Sequence, residues 1–169
     1  MHFENMYSNN FYPYNYPFNY PQMYNHHPLM NTMNNTMRDF GGRPFVTNIH
    51  HVAVENNTFR TAIWTGEHLQ VTLMSINVGE DIGLELHENV DQFLRIEEGE
   101  GLVQMGKDRH RLDFERRVGK GDAIMVPARL WHNITNIGHF PLKLYSIYAP
   151  PEHPFGTVHR TKEEAMEQH

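Results

Sequence analysis

Cysteine is absent from the 169-residue chain, which excludes disulfides, thiolate metal ligands and cysteine nucleophiles. Basic residues are scarce as well, with 14 Lys and Arg against 20 Asp and Glu and a formal net charge of −6. Proteins that bind phosphate backbones carry a basic excess, so we expect no nucleic-acid partner. No apolar run approaches the ~20 residues of a membrane span, and the start M-H-F-E-N-M-Y lacks a signal-peptide pattern. We therefore expect no membrane association and a cytoplasmic location.

Residues 1–37 differ in composition from the rest of the chain. They contain one charged residue, Glu4, but six of the eight tyrosines and four prolines. Proline at about every fourth position between Asn9 and Tyr24 works against both helix and central strand, so we predict a disordered or extended arm. Its composition resembles the Tyr/Asn/Pro-rich ends of bacterial spore-coat proteins. Two interpretations stay open: a mobile arm, or an arm that binds a larger assembly such as a spore coat.

Residues 38–169 are predicted to form one domain, all-β as far as about residue 150. Short runs of alternating or apolar residues are bounded by Gly, Pro, Asn or Asp, and no helix pattern separates them, which is typical of an antiparallel sandwich or small barrel. A capping-box pattern at Thr161 predicts a short helix in the C-terminal extension. The predicted strands are Phe45–Val54, Thr58–Trp64, Leu69–Val78, Leu84–His87, Val90–Glu97, Gly101–Gly106, Arg109–Val118, Asp122–Val126, His132–Ile137 and Leu142–Tyr148.

Pairing of the predicted strands could bring four polar side chains together at one end of this barrel. Glu85 and His87 are two residues apart, so they share a face of their strand. Gln92 begins the next strand, and a hairpin would bring it beside them. His132 would join them from a later antiparallel strand.

Two segments resemble the two motifs of the cupin family. Gly79 to Gly99, G-E-D-I-G-L-E-L-H-E-N-V-D-Q-F-L-R-I-E-E-G, is similar to the first motif, G-x5-H-x-H-x3,4-E-x6-G. Gly121 to Asn136, G-D-A-I-M-V-P-A-R-L-W-H-N-I-T-N, is similar to the second, G-x5-P-x-G-x2-H-x3-N. The resemblance covers about residues 45–150 and implies a small single-domain cupin, an antiparallel jelly-roll β-barrel.

The resemblance implies a metal site made of Glu85, His87, Gln92 and His132. Glu85 replaces the family's first ligand histidine and Gln92 replaces its ligand glutamate, while Arg129 replaces the glycine of the second motif. Nitrogen and oxygen donors of this kind suit a divalent Zn, Mn, Fe or Ni ion. Gln92 either binds the ion or hydrogen-bonds a water on it. The alternative is a cupin that no longer binds metal.

Three functions are compatible with such a site. The first is a metal-dependent enzyme on a small polar molecule, loosely similar to the phosphomannose isomerases, cupins that hold zinc with Gln, two His and Glu. The second is a non-haem iron dioxygenase, for which two histidines and one carboxylate suffice. The third is a non-catalytic structural or sugar-binding module. The resemblance also implies a homodimer.

Other polar residues give weaker indications. Arg129 lies three residues before His132 and would either bind a carboxylate or phosphate of the substrate or form an exposed surface charge. His50 and His51 are expected to point to opposite faces of a strand and therefore not to form one metal site. His110 stands among arginines and is expected on a solvated strand face.

Overall fold

The structure, a computed structural model, describes residues 38–167. The predicted arm, residues 1–37, lies outside the described residues, and the assembly role proposed for it stays a prediction. The described part contains two short helices and nine strands in this order: α1 (Ile49–Glu55), β1 (Arg60–Thr65), β2 (Gln70–Ile76), β3 (Asp91–Glu98), β4 (Glu100–Gly106), β5 (Phe114–Gly119), β6 (Ala123–Val126), β7 (Trp131–Asn136), β8 (Leu142–Ala149), β9 (Val158–His159) and α2 (Lys162–Met166).

The strands form two antiparallel sheets, which confirms the all-β prediction. One sheet has six strands in the order β6-β3-β8-β2-β1-β9, and the other has three in the order β5-β4-β7. Alternate residues of β3, β4 and β7 are buried, as expected where one face of each sheet covers a core. The core joins side chains of both sheets, among them Leu94, Ile96, Val103, Ile134 and Leu144.

The inner face of the six-stranded sheet changes from apolar to polar along its strands. Met74, Leu144 and Ile96 lie side by side in one cross-strand row of the core. Four residues further along β8, Tyr148 lies opposite Gln92 and is fully buried. One end of the barrel is therefore filled by apolar side chains, and the other end buries polar groups.

The prediction of a strand at Phe45–Val54 is wrong, because helix α1 occupies most of this segment. The Asn48 side chain caps the helix by accepting a hydrogen bond of 3.0 Å from the His51 amide. Val52 and Ala53 pack with Ile63 and Leu73 in a second, smaller cluster. The apolar residues follow a helical spacing, but the helix has only seven residues and is too short to be stable without this packing.

Two other predicted strands are shorter than expected. Leu84–His87 forms a single bridge, Glu85 to His132, instead of a ladder. The segment Arg109–Val118 becomes a strand only at Phe114, because its first residues form a turn. In that turn the Arg111 amide donates a hydrogen bond to the Asp108 carbonyl. The remaining predicted strands overlap β1–β4 and β6–β8, while β9 was not predicted.

The C-terminal extension is bonded to the six-stranded sheet before it reaches α2. The Gln70 side chain holds His153 through two hydrogen bonds, to the carbonyl and from the amide of that residue. The predicted helix is confirmed: the Thr161 hydroxyl accepts from the Glu164 amide at its start. No helix in residues 38–167 is long and apolar enough to cross a membrane.

Candidate metal centre

Backbone hydrogen bonds place Glu85 directly opposite His132. The Glu85 amide donates to the His132 carbonyl at 3.0 Å, and the His132 amide donates to the Glu85 carbonyl at 2.9 Å. Residues paired in this way present their side chains on one face of the sheet. His87 lies two residues beyond Glu85 in the same extended segment, and its carbonyl accepts from the Arg129 amide at 2.7 Å. The structure therefore brings three of the predicted ligands together.

The donor atoms of these three residues converge. Glu85 Oε2 is 3.3 Å from His87 Nε2 and 3.9 Å from His132 Nε2. All three ligand atoms lie within 4.8 Å of one another, and the two imidazole centroids are 5.3 Å apart. One ion can contact donors 3.3 Å and 3.9 Å apart, since two ligand bonds to a first-row metal together span up to about 4.4 Å.

The same atoms lack hydrogen-bond partners. Glu85 Oε2, His87 Nε2 and His132 Nε2 are buried; they lie near one another, but none forms a hydrogen bond of normal geometry within the described residues. A buried polar atom without a partner costs about 1–3 kcal/mol, so such atoms are normally satisfied by a ligand, an ion or water. One carboxylate and two imidazoles fit a divalent ion in both chemistry and geometry.

Neighbouring groups orient the two imidazoles. His87 Nδ1 lies 3.1 Å from Glu152 Oε1, and His132 Nδ1 lies 3.1 Å from the Leu130 carbonyl oxygen. Because carboxylate and carbonyl oxygens accept hydrogen bonds, each Nδ1 carries the proton in the neutral ring and each Nε2 presents its lone pair. Both rings therefore direct their free nitrogen towards Glu85.

Charged neighbours set the protonation of the cluster. Burial alone raises the pKa of Glu85, but contact with His87 and the charges of Arg60 and His132 lower it to about 2. Burial lowers the pKa of His87, yet Glu85 and Glu152 raise it above its usual value. Burial lowers the pKa of His132 below its usual value. Glu85 is thus an anion at neutral pH, and His132 is neutral and free to bind.

Gln92 lies on β3 and is buried, but it is not one of the three convergent residues. Its Nε2 donates to Ser146 Oγ at 2.9 Å, while its Oε1 has no hydrogen-bond partner in the described part of the chain. The free amide oxygen is on the polar end of the inner sheet face, opposite Tyr148. Its part in metal binding stays a prediction.

Arg129 is at the surface, next to the site. Its side chain is 73% exposed and lies 3.8 Å from a carboxylate oxygen of Glu88. Its backbone has φ 65°, the left-handed region that favours glycine, which accounts for the glycine of the cupin motif at this position. A role in substrate binding stays a prediction, whereas the backbone bond to His87 is a structural role that the sequence did not reveal.

The other histidines singled out from the sequence lie apart from this cluster. His50 and His51 are on helix α1 rather than on a strand, and His50 Nδ1 contacts Glu97 at 2.6 Å. His110 is exposed in the turn before β5, not on a strand face.

The contacts of three further residues with the site were not predicted from the sequence. Arg60 is buried and its guanidinium donates to Glu85 Oε1 at 3.2 Å. Glu152 contacts His87, and Tyr148 lies edge-on to the His87 ring with centroids 5.8 Å apart. The available signal for Arg60 was a single charged residue in an otherwise uncharged predicted strand. Glu152 lies in a proline-rich segment whose sequence shows no regular pattern.

Comparison with known proteins identifies relatives of this chain. Residues 72–148 match a family model described as a cupin domain. The chain is 63% identical over 130 residues to the uncharacterized protein YrkC of Bacillus subtilis (strain 168), spanning 77% of this chain and 70% of YrkC. The crystal structure of BH2720 from Bacillus halodurans is 62% identical with a TM-score of 0.76, covering 77% of this chain and 98% of that one. A Klebsiella pneumoniae protein with a double-stranded β-helix domain shares the fold at 16% identity and a TM-score of 0.55, covering 70% of this chain and 100% of that one.

Proposed function

The chain belongs to the cupin family, and from that premise and the arrangement of its Glu and His residues we propose that it is a metal-dependent enzyme. It would bind one divalent ion through Glu85, His87 and His132 and act on a small polar molecule. The observation that supports the proposal is the convergence of three buried donor atoms, none of which has a hydrogen-bond partner within residues 38–167.

The three donor groups limit which metal ions can bind. One carboxylate and two imidazoles bring a single negative charge and suit Zn, Mn, Fe or Ni. When bound, such an ion polarises a substrate oxygen or provides open positions for substrate and water. The residues around it have separate roles: Arg60 keeps Glu85 ionised, and Glu152 holds His87 with Nε2 towards the ion.

Two reaction classes are proposed for this centre. Isomerisation of a sugar or sugar phosphate is supported by Gln92, whose free amide oxygen would add a fourth donor as the sequence suggested. Oxygenation is supported by the set of two histidines and one carboxylate, which with open positions is typical of non-haem Fe(II) oxygenases. The isomerase would work without oxygen, whereas the oxygenase would consume it.

Metal content of the purified full-length chain tests the centre. We expect about one equivalent of a divalent metal in the wild-type protein and its loss in His132→Ala, by elemental analysis. His68→Ala is the matched control, since that side chain is 85% exposed. An absence of metal in protein supplied with each of the four ions would contradict the proposal, as would its retention in folded His132→Ala.

The reaction class is tested with the loaded protein. Fe(II)-loaded protein mixed with candidate diols and hydroxy acids in an oxygen electrode is expected to consume oxygen if it is an oxygenase. Conversion of aldoses to ketoses under nitrogen would instead support the isomerase. Bound metal with turnover in neither assay over a broad substrate panel would favour a non-catalytic binding cupin.

A further inference from the structure

Three hydrogen-bond donors beside the metal centre are buried and form no hydrogen bond of normal geometry within residues 38–167. They are Arg60 Nε, Thr72 Oγ1 and the Tyr148 hydroxyl. The Arg60 guanidinium and the Tyr148 hydroxyl lie near each other, and the hydroxyl also lies near Ser146, so a ligand oxygen would compete with these contacts. Arg60, Thr72 and Tyr148 are 1%, 0% and 0% exposed. These are neighbouring positions on three adjacent strands, and all lie on the inner face of the six-stranded sheet.

The register of the strands brings these donors together. Thr72 lies opposite Ala62 on β1 and Ser146 on β8, so it is the diagonal neighbour of both Arg60 and Tyr148. Diagonal neighbours are within reach of long side chains. Each outer member also contacts the metal centre: the guanidinium lies 3.2 Å from Glu85, and the phenol ring lies edge-on to His87.

The chemistry of the donors indicates what they would bind. An N–H of arginine and two hydroxyls can all donate to one group of anionic oxygens. Glu85 already occupies another nitrogen of the guanidinium, so Arg60 offers its Nε without a change in the ligand carboxylate. A buried donor without a well-placed acceptor is unfavourable, so these three groups favour a ligand that offers acceptor oxygens.

The net charge of the metal-loaded site favours a ligand with one negative charge. A divalent ion and Arg60 face two carboxylates, Glu85 and Glu152, which leaves one positive charge. A monocarboxylate neutralises that charge, and a hydroxyl or carbonyl oxygen next to its carboxylate can reach the ion at the same time. A neutral sugar would leave the charge and the arginine unpaired.

We infer that the substrate class of this centre is a small 2-hydroxy- or 2-oxo-carboxylic acid, whose carboxylate is bound by Arg60, Thr72 and Tyr148. The inference rests on the proposed metal centre, specifies what that centre acts on, and excludes a neutral sugar as the substrate of either proposed reaction class. It makes these three residues binding residues for the ligand, not only supports of the barrel.

Calorimetric titration of glycolate into the metal-loaded full-length protein tests the inference. We expect glycolate to bind at least about tenfold more tightly than glycolamide, its uncharged amide, since the bond to a charged group is lost. Tyr148→Phe and Thr72→Val, which remove one hydroxyl each, should each weaken glycolate binding about tenfold. Tyr145→Phe, on the same strand, is the matched control and should leave it unchanged.

Metal content and thermal unfolding of every variant are measured in the same samples. Arg60→Met is added to the set, and if it does not fold, the two hydroxyl variants carry the test.

Equal affinity for glycolate and glycolamide, or no effect in either hydroxyl variant, would mean that water alone satisfies these donors, and would overturn the inference. Metal uptake without glycolate binding would refute the inference alone; failure of metal uptake would refute the proposed function and the inference together.

Discussion

Glu85 is the residue on which the chemistry of the site depends, because it faces two histidines with one oxygen and an arginine with the other. Oε1 accepts from Arg60, which leaves Oε2 beside His87 and His132. A carboxylate paired in this way stays ionised far into the acid range, with a pKa of about 2. The glutamate that stands in place of the family's histidine is therefore held in its ionised form by contact with His87 and by the buried charge of Arg60.

Glu152 is predicted to matter for metal affinity although it does not touch the ion. Removing it in Glu152→Ala frees the His87 ring to rotate, so we expect metal affinity to fall about 10- to 100-fold. Competition with a chromogenic chelator measures this. Glu88→Ala, an exposed carboxylate one residue from His87, is the control and should change affinity little. Equal affinity in Glu152→Ala and the wild type would contradict the role assigned to Glu152.

Arg129 is predicted to be strained rather than stabilising. Its φ of 65° costs a residue with a Cβ roughly 1 kcal/mol relative to glycine, and its exposed contact with Glu88 contributes little. Arg129→Gly should therefore raise the free energy of unfolding by about 0.5–1 kcal/mol in denaturant titrations, at the low end because glycine also gains entropy in the unfolded chain. Arg129→Ala removes the charged side chain but keeps a Cβ in the left-handed backbone conformation. If it raised the free energy of unfolding as much as Arg129→Gly does, the charge and not the backbone would be responsible.

Individual residues of the site were predictable only where a motif spacing fixed them. Glu85, His87 and His132 follow from the resemblance to the two cupin segments, and the structure brings them together. Arg60 and Glu152 lie 25 residues before Glu85 and 65 residues after His87, and meet them only because the barrel closes. Contacts so distant along the chain leave no local pattern in a single sequence.

At the scale of elements, an ion pair and the buried Ala165 tie the C-terminal helix α2 to the barrel. Lys162 Nζ lies 2.6 Å from Asp81 Oδ1, which also accepts from the Gly83 amide at 2.6 Å. Burial opposes ionisation of Asp81, but Lys162 and the Gly83 amide together lower its pKa below the usual value. The carboxylate therefore stabilises the fold when it is ionised.

Asp81→Asn is predicted to destabilise the protein by about 1 kcal/mol at neutral pH, because it removes the charge of this bond. Since the folded-state pKa is the lower one, the contribution of Asp81 is complete above the usual aspartate pKa, near 3.8, and is lost as the pH falls through the folded value. Urea titrations from pH 7 to pH 3 should show the two proteins converging in acid. Asp113→Asn, at an exposed pair, is the control. A difference that persists unchanged at low pH would contradict the ionic explanation.

Elements were predictable where alternation was strong and unpredictable where packing decides. Leu69, Val71 and Leu73 alternate with polar residues, and β2 covers most of that run. Helix α1 has too few residues to be favoured by its own sequence, and it exists because Val52 and Ala53 pack against Ile63 and Leu73. The two-residue strand β9 likewise depends on pairing with β1.

For the whole molecule, the apolar end of the barrel mainly provides stability, and the polar end carries the candidate functional site. The apolar end supplies the core, while the polar end buries Gln92, Tyr148 and the donor atoms of the candidate metal centre. The backbone of Arg60 pairs with Met74 of the apolar row, and its guanidinium extends to Glu85 at the polar end. Motifs and strand count sufficed to predict this architecture and the convergence of Glu85, His87 and His132. The homodimer and the role of residues 1–37 in assembly stay predictions, because they concern contacts with other molecules.

Metal is predicted to stabilise the whole fold, since it joins the Glu85–His87 segment to β7. Binding to the folded state alone adds about 2.7 kcal/mol at a free-ion concentration 100-fold above Kd, which corresponds to a rise in Tm of about 5–10 °C. Differential scanning calorimetry with metal and then with excess chelator measures it. His132→Ala should show no such shift; an equal shift in that variant would place the stabilising ion elsewhere.

Anomalous diffraction from crystals of the metal-loaded protein tests the central claim most directly. Data collected above and below the absorption edge of the loaded metal should give one strong peak within about 2.0–2.2 Å of Glu85 Oε2, His87 Nε2 and His132 Nε2. The same three atoms hydrogen-bonded to water in metal-loaded crystals, with no peak between them, would contradict the account.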